Sequence, residues 1–83
     1  SHIDAVPHGG KYDGALGVIG AIECVQVLNE HGLTTRHPLE VIVFTDEEGG
    51  LVGSRAMIGE LTDEALDVTS HSGKSIRDGI RFI

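Results

Sequence analysis

The chain opens on an extended, alternating run, Ser1-His2-Ile3-Asp4-Ala5-Val6, which Pro7 closes; this reads as the end of a β-strand. His8-Gly9-Gly10-Lys11 follows with the composition of a loop. From about Gly14 to Glu30 apolar residues crowd together: Ala15, Leu16, Val18, Ile19, Ala21, Ile22, Val25, Val27 and Leu28. The polar positions Glu23, Gln26, Asn29 and Glu30 recur at three- and four-residue steps, so they form one wet stripe on an otherwise apolar helix. Asp13 stands where an N-cap would, and Gly32 where a C-cap glycine would.

Beyond Pro38, the run Leu39-Glu40-Val41-Ile42-Val43-Phe44 is short, largely β-branched and apolar on both faces except at Glu40. That is the pattern of a buried parallel strand. Strand, helix and strand in this order imply a right-handed βαβ crossover. Thr45-Asp46-Glu47-Glu48-Gly49-Gly50 is an acidic turn. Ser54 is placed to cap a short helix through Met57 and Ile58, and Thr62, ahead of Asp63 and Glu64, another that ends near Val68. Ser75-Ile76-Arg77-Asp78 is a capping box with Asp in place of the usual Glu or Gln. The helix it opens sets Ile76, Ile80 and Ile83 on one face. No repeat, low-complexity tract or domain boundary interrupts the chain.

Composition narrows the class. At 83 residues, with 40% hydrophobic and 23% charged residues, the chain is globular material for one small domain at most. A formal net charge of −7 argues against nucleic acid and anionic membranes as partners, since both need clustered Lys and Arg. No apolar run is long enough for a transmembrane helix, and no signal peptide is visible. Cys24, the sole cysteine, fits a reducing cytoplasm. Its apolar neighbours predict a buried, unreactive thiol.

The chemistry gathers at the carboxyl ends of the two expected strands, where open α/β sheets place their ligands. One end carries His2, Asp4 and, after the glycine loop, Asp13; the other carries Asp46, Glu47 and Glu48. Adjacent parallel strands would bring these groups together, and their carboxylates would repel without a cation. Imidazole with carboxylate oxygens is an ordinary zinc shell. His2 and Asp4 alternate with Ile3 and so share one side of the strand, where Asp4 can orient the His2 ring. Asp13, at a helix start, is placed to reach two ions. Glu47 and Glu48 cannot point the same way in extended backbone, so one can bind metal while the other serves as the base for an activated water.

These residues carry a resemblance. His2-Ile3-Asp4-Ala5-Val6-Pro7, Gly10-Lys11-Tyr12-Asp13-Gly14-Ala15-Leu16-Gly17 and Thr45-Asp46-Glu47-Glu48-Gly49 resemble the aminoacylase and carboxypeptidase superfamily of dinuclear zinc hydrolases. Gly9-Gly10-Lys11-Tyr12-Asp13-Gly14-Ala15-Leu16-Gly17-Val18, with Gly53-Ser54-Arg55-Ala56 and Ser75-Ile76-Arg77-Asp78-Gly79-Ile80, is similar to its carbamoylase branch. That branch comprises N-carbamoyl-L-amino-acid hydrolases, β-ureidopropionases and allantoate amidohydrolases. The resemblance covers essentially the whole chain. It implies an α/β fold: residues 1–83 as part of a three-layer zinc-hydrolase catalytic domain with a largely parallel sheet, the rest of that domain and a dimerisation domain lying elsewhere. It implies His2 as ligand of one metal, Asp13 as the bridge and Glu48 as ligand of the other. Glu47 becomes the general base and acid, and Asp4 the partner that orients His2. Two divalent ions are implied, Zn foremost with Mn or Co as alternatives, together with a small-molecule substrate carrying a linear amide or ureido bond and a cytoplasmic, homodimeric parent. The family adds a further histidine to each metal, so these residues alone are expected to bind zinc poorly and not to turn over.

Two departures stand out. His8 occupies a position where the branch usually has Asn, and a longer Arg- and Phe-containing stretch usually follows the Glu pair, where this chain runs directly Gly49-Gly50-Leu51-Val52-Gly53. His8, His31, His37 and His71 read as loop or surface residues, and Lys11 and Arg55 as solvated charge. Gly14-Ala15-Leu16-Gly17 lacks the spacing of a nucleotide loop, and its glycines are expected to allow close helix–sheet packing. The rival readings are a dipeptidase, aminoacylase or carboxypeptidase of the same superfamily, and a non-catalytic folded fragment.

Overall fold

The computed structural model describes every residue except His71, so the reading of that histidine lies outside the described residues. The dominant element is helix α1, Ala15–Glu30, about 24 Å long at the usual rise per residue. Its end is set by local chemistry. Gly32 takes φ 61°, which lets the Gly32 N–H donate to the Asn29 carbonyl and the Leu33 N–H to the Leu28 carbonyl, at 3.1 and 2.9 Å. This pair of bonds is the Schellman arrangement, and it satisfies carbonyls that the helix itself cannot.

Of the expected sheet, the described residues show a single parallel contact, between His2 and Phe44. The Phe44 N–H donates to the Ser1 carbonyl at 2.8 Å, and the Ser1 ammonium to the Ile42 carbonyl at 3.1 Å. Residues 1–6 and 39–44 therefore run side by side without forming continuous strands. Parallel strands hold when both faces are covered, and here the faces stay open: Ile3, Leu39, Val41 and Val43 are exposed. The apolar surface of α1 is open as well, with Leu16, Ile19, Ile22 and Val27 exposed. Cys24 is exposed too. This corrects the expectation of a buried thiol, since apolar neighbours in sequence bury a side chain only where another layer covers that side of the helix.

Among the described residues two are buried, Val18 and His2. The radius of gyration is 16.0 Å, against ~12 Å for a closed domain of this length. What order exists beyond α1 comes from turns. Helix α2, Glu47–Gly50, and helix α3, Val52–Met57, follow the second extended segment. Helix α3 begins at Val52 behind Leu51, so Ser54 lies inside it and is not its cap; the Ser54 hydroxyl donates to the Leu51 carbonyl. A 3₁₀ turn, Glu64–Asp67, follows, with the Thr62 hydroxyl accepting from the Ala65 N–H as expected. Helix α4, Ile76–Phe82, starts on the full capping box: Ser75 accepts from the Asp78 N–H, and Asp78 from the Ser75 N–H. Arg77 bonds both Asp67 carboxylate oxygens, at 2.7 and 3.3 Å, and so ties α4 to the 3₁₀ turn. Among the described residues no helix is long and apolar enough to cross a membrane.

Candidate metal centre

The bridge between His2 and Phe44 puts the carboxyl ends of the two extended segments side by side. A second link fastens the acidic turn to the first segment: Asp4 Oδ2 accepts the Glu48 N–H at 3.0 Å. That donor holds the Asp4 carboxyl below its ordinary range; burial opposes it, and the Glu47 N–H, Asp4's own N–H and the His2 charge reinforce it. A hydrogen bond between residues 44 positions apart fixes where the Glu pair sits relative to His2.

Asp13 is delivered differently from its expected role as an N-cap. The cap position of α1 is Gly14, and no side chain caps the helix. Gly14 has φ 73° and ψ −54°, and the Ala15 N–H donates to the Asp13 carbonyl at 2.8 Å. This is a γ-turn of the rare, strained hand, a conformation suited to glycine. The turn bends the chain sharply into α1 and leaves the Asp13 carboxylate uncommitted to the helix, facing His2 and Glu48. It also brings the backbone hard against the histidine: a Cβ on Gly14 would lie 2.5 Å from His2 Cε1, Nδ1 and carbonyl oxygen.

Glu47 and Glu48 stand in the single turn of α2, not in extended backbone as the sequence suggested. The turn is bracketed by two non-glycine residues in the left-handed region, Asp46 at φ 52° and Leu51 at φ 54°. Inside it Gly49 lies close against the Asp46 carboxylate, which would have to shift to admit a Cβ there. The helical turn aims both carboxylates toward His2. His2 Nε2 lies 3.4 Å from Glu47 Oε2 and 3.9 Å from Asp13 Oδ1. His2, Glu47 and Glu48 each offer a donor atom within 4.8 Å of the others.

The hydrogen bonding fixes the ring's state. His2 Nδ1 lies 2.9 Å from the Asp4 carbonyl and 3.4 Å from Asp4 Oδ1. A carbonyl only accepts, so Nδ1 carries a proton, and the backbone of Asp4 makes the shorter contact. In the neutral ring, Nε2 then turns a lone pair toward two carboxylates, an arrangement that calls for a proton or a cation between them. Burial pushes the His2 pKa down, but the Asp4 carbonyl and the charges of Glu47, Asp4 and Glu48 outweigh it, and the net shift is upward. The Glu48 carboxyl is also pushed up, first by the Asp13 carboxyl beside it, then by burial and by the Asp13 and Glu47 charges. Asp4 Oδ1 is buried without a hydrogen-bond donor. An imidazole lone pair and crowded carboxylates are the donor set a divalent cation takes up, and these residues fit one.

All five expected site residues, His2, Asp4, Asp13, Glu47 and Glu48, thus converge. Others do not join them. His37 lines a separate open cavity of about 450 Å³ at the carboxyl end of α1, with Leu28, Leu33 and Leu39. Lys11 stacks over the Tyr12 ring, 5.2 Å from its centroid. Arg55 is half-buried and bonded to the Gly50 carbonyl, which corrects its reading as solvated charge. The glycines of residues 14–17 were expected to allow close packing, and Gly14 does so against His2; its role in seating that ring was not foreseen. The signal available was a glycine immediately after a candidate ligand.

The profile of peptidase family M20/M25/M40 matches residues 1–81. An N-carbamoyl-L-amino acid amidohydrolase of Geobacillus stearothermophilus is 49% identical over 98% of this chain and 21% of its own length. A ureidoglycolate hydrolase of Arabidopsis thaliana is 46% identical over 92% of this chain and 17% of its own. An allantoate deiminase of the same plant is 42% identical over 98% of this chain and 17% of its own. This chain therefore spans about a fifth of the length of these curated relatives. No solved structure matches it significantly.

Proposed function

We infer an activity from one premise: this chain belongs to peptidase family M20/M25/M40. The polypeptide that carries it hydrolyses a linear amide or ureido C–N bond in a small, carboxylate-bearing molecule of the N-carbamoyl amino acid or allantoate type. Relatives named as an N-carbamoyl-L-amino acid amidohydrolase and an allantoate deiminase support this class. The observation that carries it in the structure is the convergence of His2, Glu47 and Glu48 within 4.8 Å, with Asp13 against them.

In this reading His2, Asp13 and Glu48 would hold two divalent metal ions, zinc before manganese or cobalt. Such ions, when bound, acidify water and polarise a carbonyl. Asp4 keeps the proton on His2 Nδ1, so that Nε2 is the free donor, and anchors the Glu48 backbone. Glu47, half-buried beside His2 Nε2, takes a proton from the attacking water as its oxygen bonds to the carbonyl carbon. Glu47 then returns that proton to the departing nitrogen as the C–N bond breaks. For an N-carbamoyl amino acid this cleavage leaves a carbamic acid, which loses carbon dioxide on its own as its remaining C–N bond breaks, so the products are the free amino acid, carbon dioxide and ammonia.

Family membership carries an α/β hydrolase domain, and the open faces of residues 1–6, 39–44 and α1 suit a largely parallel three-layer sheet. The remaining metal ligands and a dimerisation domain belong to the rest of the polypeptide, which works as a cytoplasmic homodimer. Residues 1–83 alone are inactive in this reading, because three ligand side chains cannot fill two metal sites. The family's peptidase designation favours a second reading, a dipeptidase, aminoacylase or carboxypeptidase. The full-length polypeptide, assayed with added zinc on an N-carbamoyl-L-amino acid, allantoate and a dipeptide, separates the two. Ammonia release from a ureido substrate, abolished by a chelator, is the expected result. Cleavage of the dipeptide alone would overturn the first reading, and activity unaffected by chelation would overturn the metal.

A further inference from the structure

Helix α2 is one turn long and carries both glutamates of the candidate centre, so something outside it must keep it folded. Its start is held by the Asp46 carbonyl, which accepts from the Gly50 and Val52 N–H groups, both at 3.3 Å. The Gly53 N–H donates to the Thr45 carbonyl at 3.0 Å. Gly53 itself is required there, since a Cβ would sit 2.8 Å from the Thr45 nitrogen. Its end is the weak point. The carbonyls of a last turn have no partner within the helix, and Leu51 beyond it stands in the left-handed region, where a leucine is strained. Arg55, one turn into α3, reaches back: its Nη1 donates to the Gly50 carbonyl at 3.3 Å from a half-buried position. Arg55 lines a cavity of about 200 Å³ with Asp46, Gly49 and Gly50. A cation at the carboxyl end of a helical turn is also favoured by the dipole.

We propose that Arg55 is a positioning residue for Glu47 and Glu48: by clamping the Gly50 carbonyl it holds the Glu47–Gly50 turn, bracketed by strained Asp46 and Leu51, in the shape that presents both glutamates to His2. This rests on the proposed hydrolase function for its consequence but not for its geometry, and the test separates the two. In the full-length polypeptide without metal, amide exchange at Gly50, Val52 and Gly53 is compared among wild type, Arg55→Met and Arg55→Lys. The lost clamp is a single charge-assisted bond, so exchange at these amides should speed up roughly tenfold in Arg55→Met, with α1 amides unchanged. Zinc affinity, read by competition with a chromophoric chelator, should fall about tenfold. Arg55→Lys, which keeps a charged donor, should recover most of both. Wild-type exchange at the three amides in Arg55→Met would overturn the proposal. So would a uniform rise across the molecule that Arg55→Lys fails to rescue. If Arg55→Met does not fold, Arg55→Lys decides: exchange and zinc affinity close to wild type support the clamp, and loss equal to unfolding overturns it. A wild-type protein that binds no zinc would sink the hydrolase reading while leaving the exchange comparison intact.

Discussion

Replacing Gly14 by alanine probes the tightest point of the candidate centre. At φ 73° and ψ −54° the backbone of Gly14 lies where an L-residue is opposed by its own Cβ, at a cost of about 1–2 kcal/mol or more. The added methyl would also sit 2.5 Å from three atoms of His2, which must retreat by about 0.9 Å to reach ordinary contact at 3.4 Å. Crowding of this kind costs ~1–3 kcal/mol. The two terms together predict a loss of about 3 kcal/mol in the stability of the turn and the ring's seat. A ring displaced by that distance should also weaken metal binding by roughly ten- to a hundredfold. The assay is urea unfolding and zinc competition on the full-length polypeptide. Gly20→Ala is the control: Gly20 lies inside α1 with nothing within 4 Å of its added methyl, so it should stabilise by about 0.5–1 kcal/mol. If Gly14→Ala proves as benign as Gly20→Ala, and zinc affinity is unchanged, the γ-turn does not seat His2 and the geometric reasoning fails.

Four other outcomes follow from the structure. Glu47→Gln should cut kcat by roughly a hundred- to ten-thousandfold while zinc content stays at the wild-type level; loss of zinc instead would make Glu47 a ligand and not the base. Because the His2 pKa is raised above 6.5 and the Glu48 carboxyl is raised as well, both must shed protons to bind a cation. Zinc affinity should therefore climb as pH rises from about 5.5 and level off above the raised His2 value, and affinity that is flat or falls with pH would contradict this. In the absence of metal both raised groups favour the folded state at low pH and lose that contribution as pH rises through their folded values, the opposite sign to Asp4, whose lowered pKa gives stability lost on acidification. Ser75→Ala removes the capping box of α4 and should cost about 1 kcal/mol in urea unfolding, with zinc affinity untouched.

What the sequence disclosed follows the range of the interactions involved. Helix α1, its Gly32 terminus and the Ser75–Asp78 box depend on residues a few positions apart, and each formed where the pattern placed it. The convergence of His2, Asp4, Asp13, Glu47 and Glu48 was legible because it needs only two neighbouring segment ends and a loop. The sheet was less so. Its strands require neighbours on both sides, and residues 1–6 and 39–44 supply one bridge between them. The exposure of Cys24 has the same cause, since burial there depends on a covering layer and not on the apolar neighbours in sequence. The displacement of Asp13 from its cap and the helical turn at Glu47 are of another kind. Both arise from unusual backbone angles, at Gly14 and at Asp46 and Leu51, and residue pattern carries little trace of them when the residue is not glycine.

The most direct test of the central claim is a crystal of the full-length polypeptide grown with zinc, with diffraction measured on either side of the zinc absorption edge. The expected anomalous peaks lie between His2, Asp13 and Glu48, with Glu47 facing them. A well-folded protein whose zinc peaks lie elsewhere, with these side chains carrying none, would contradict it.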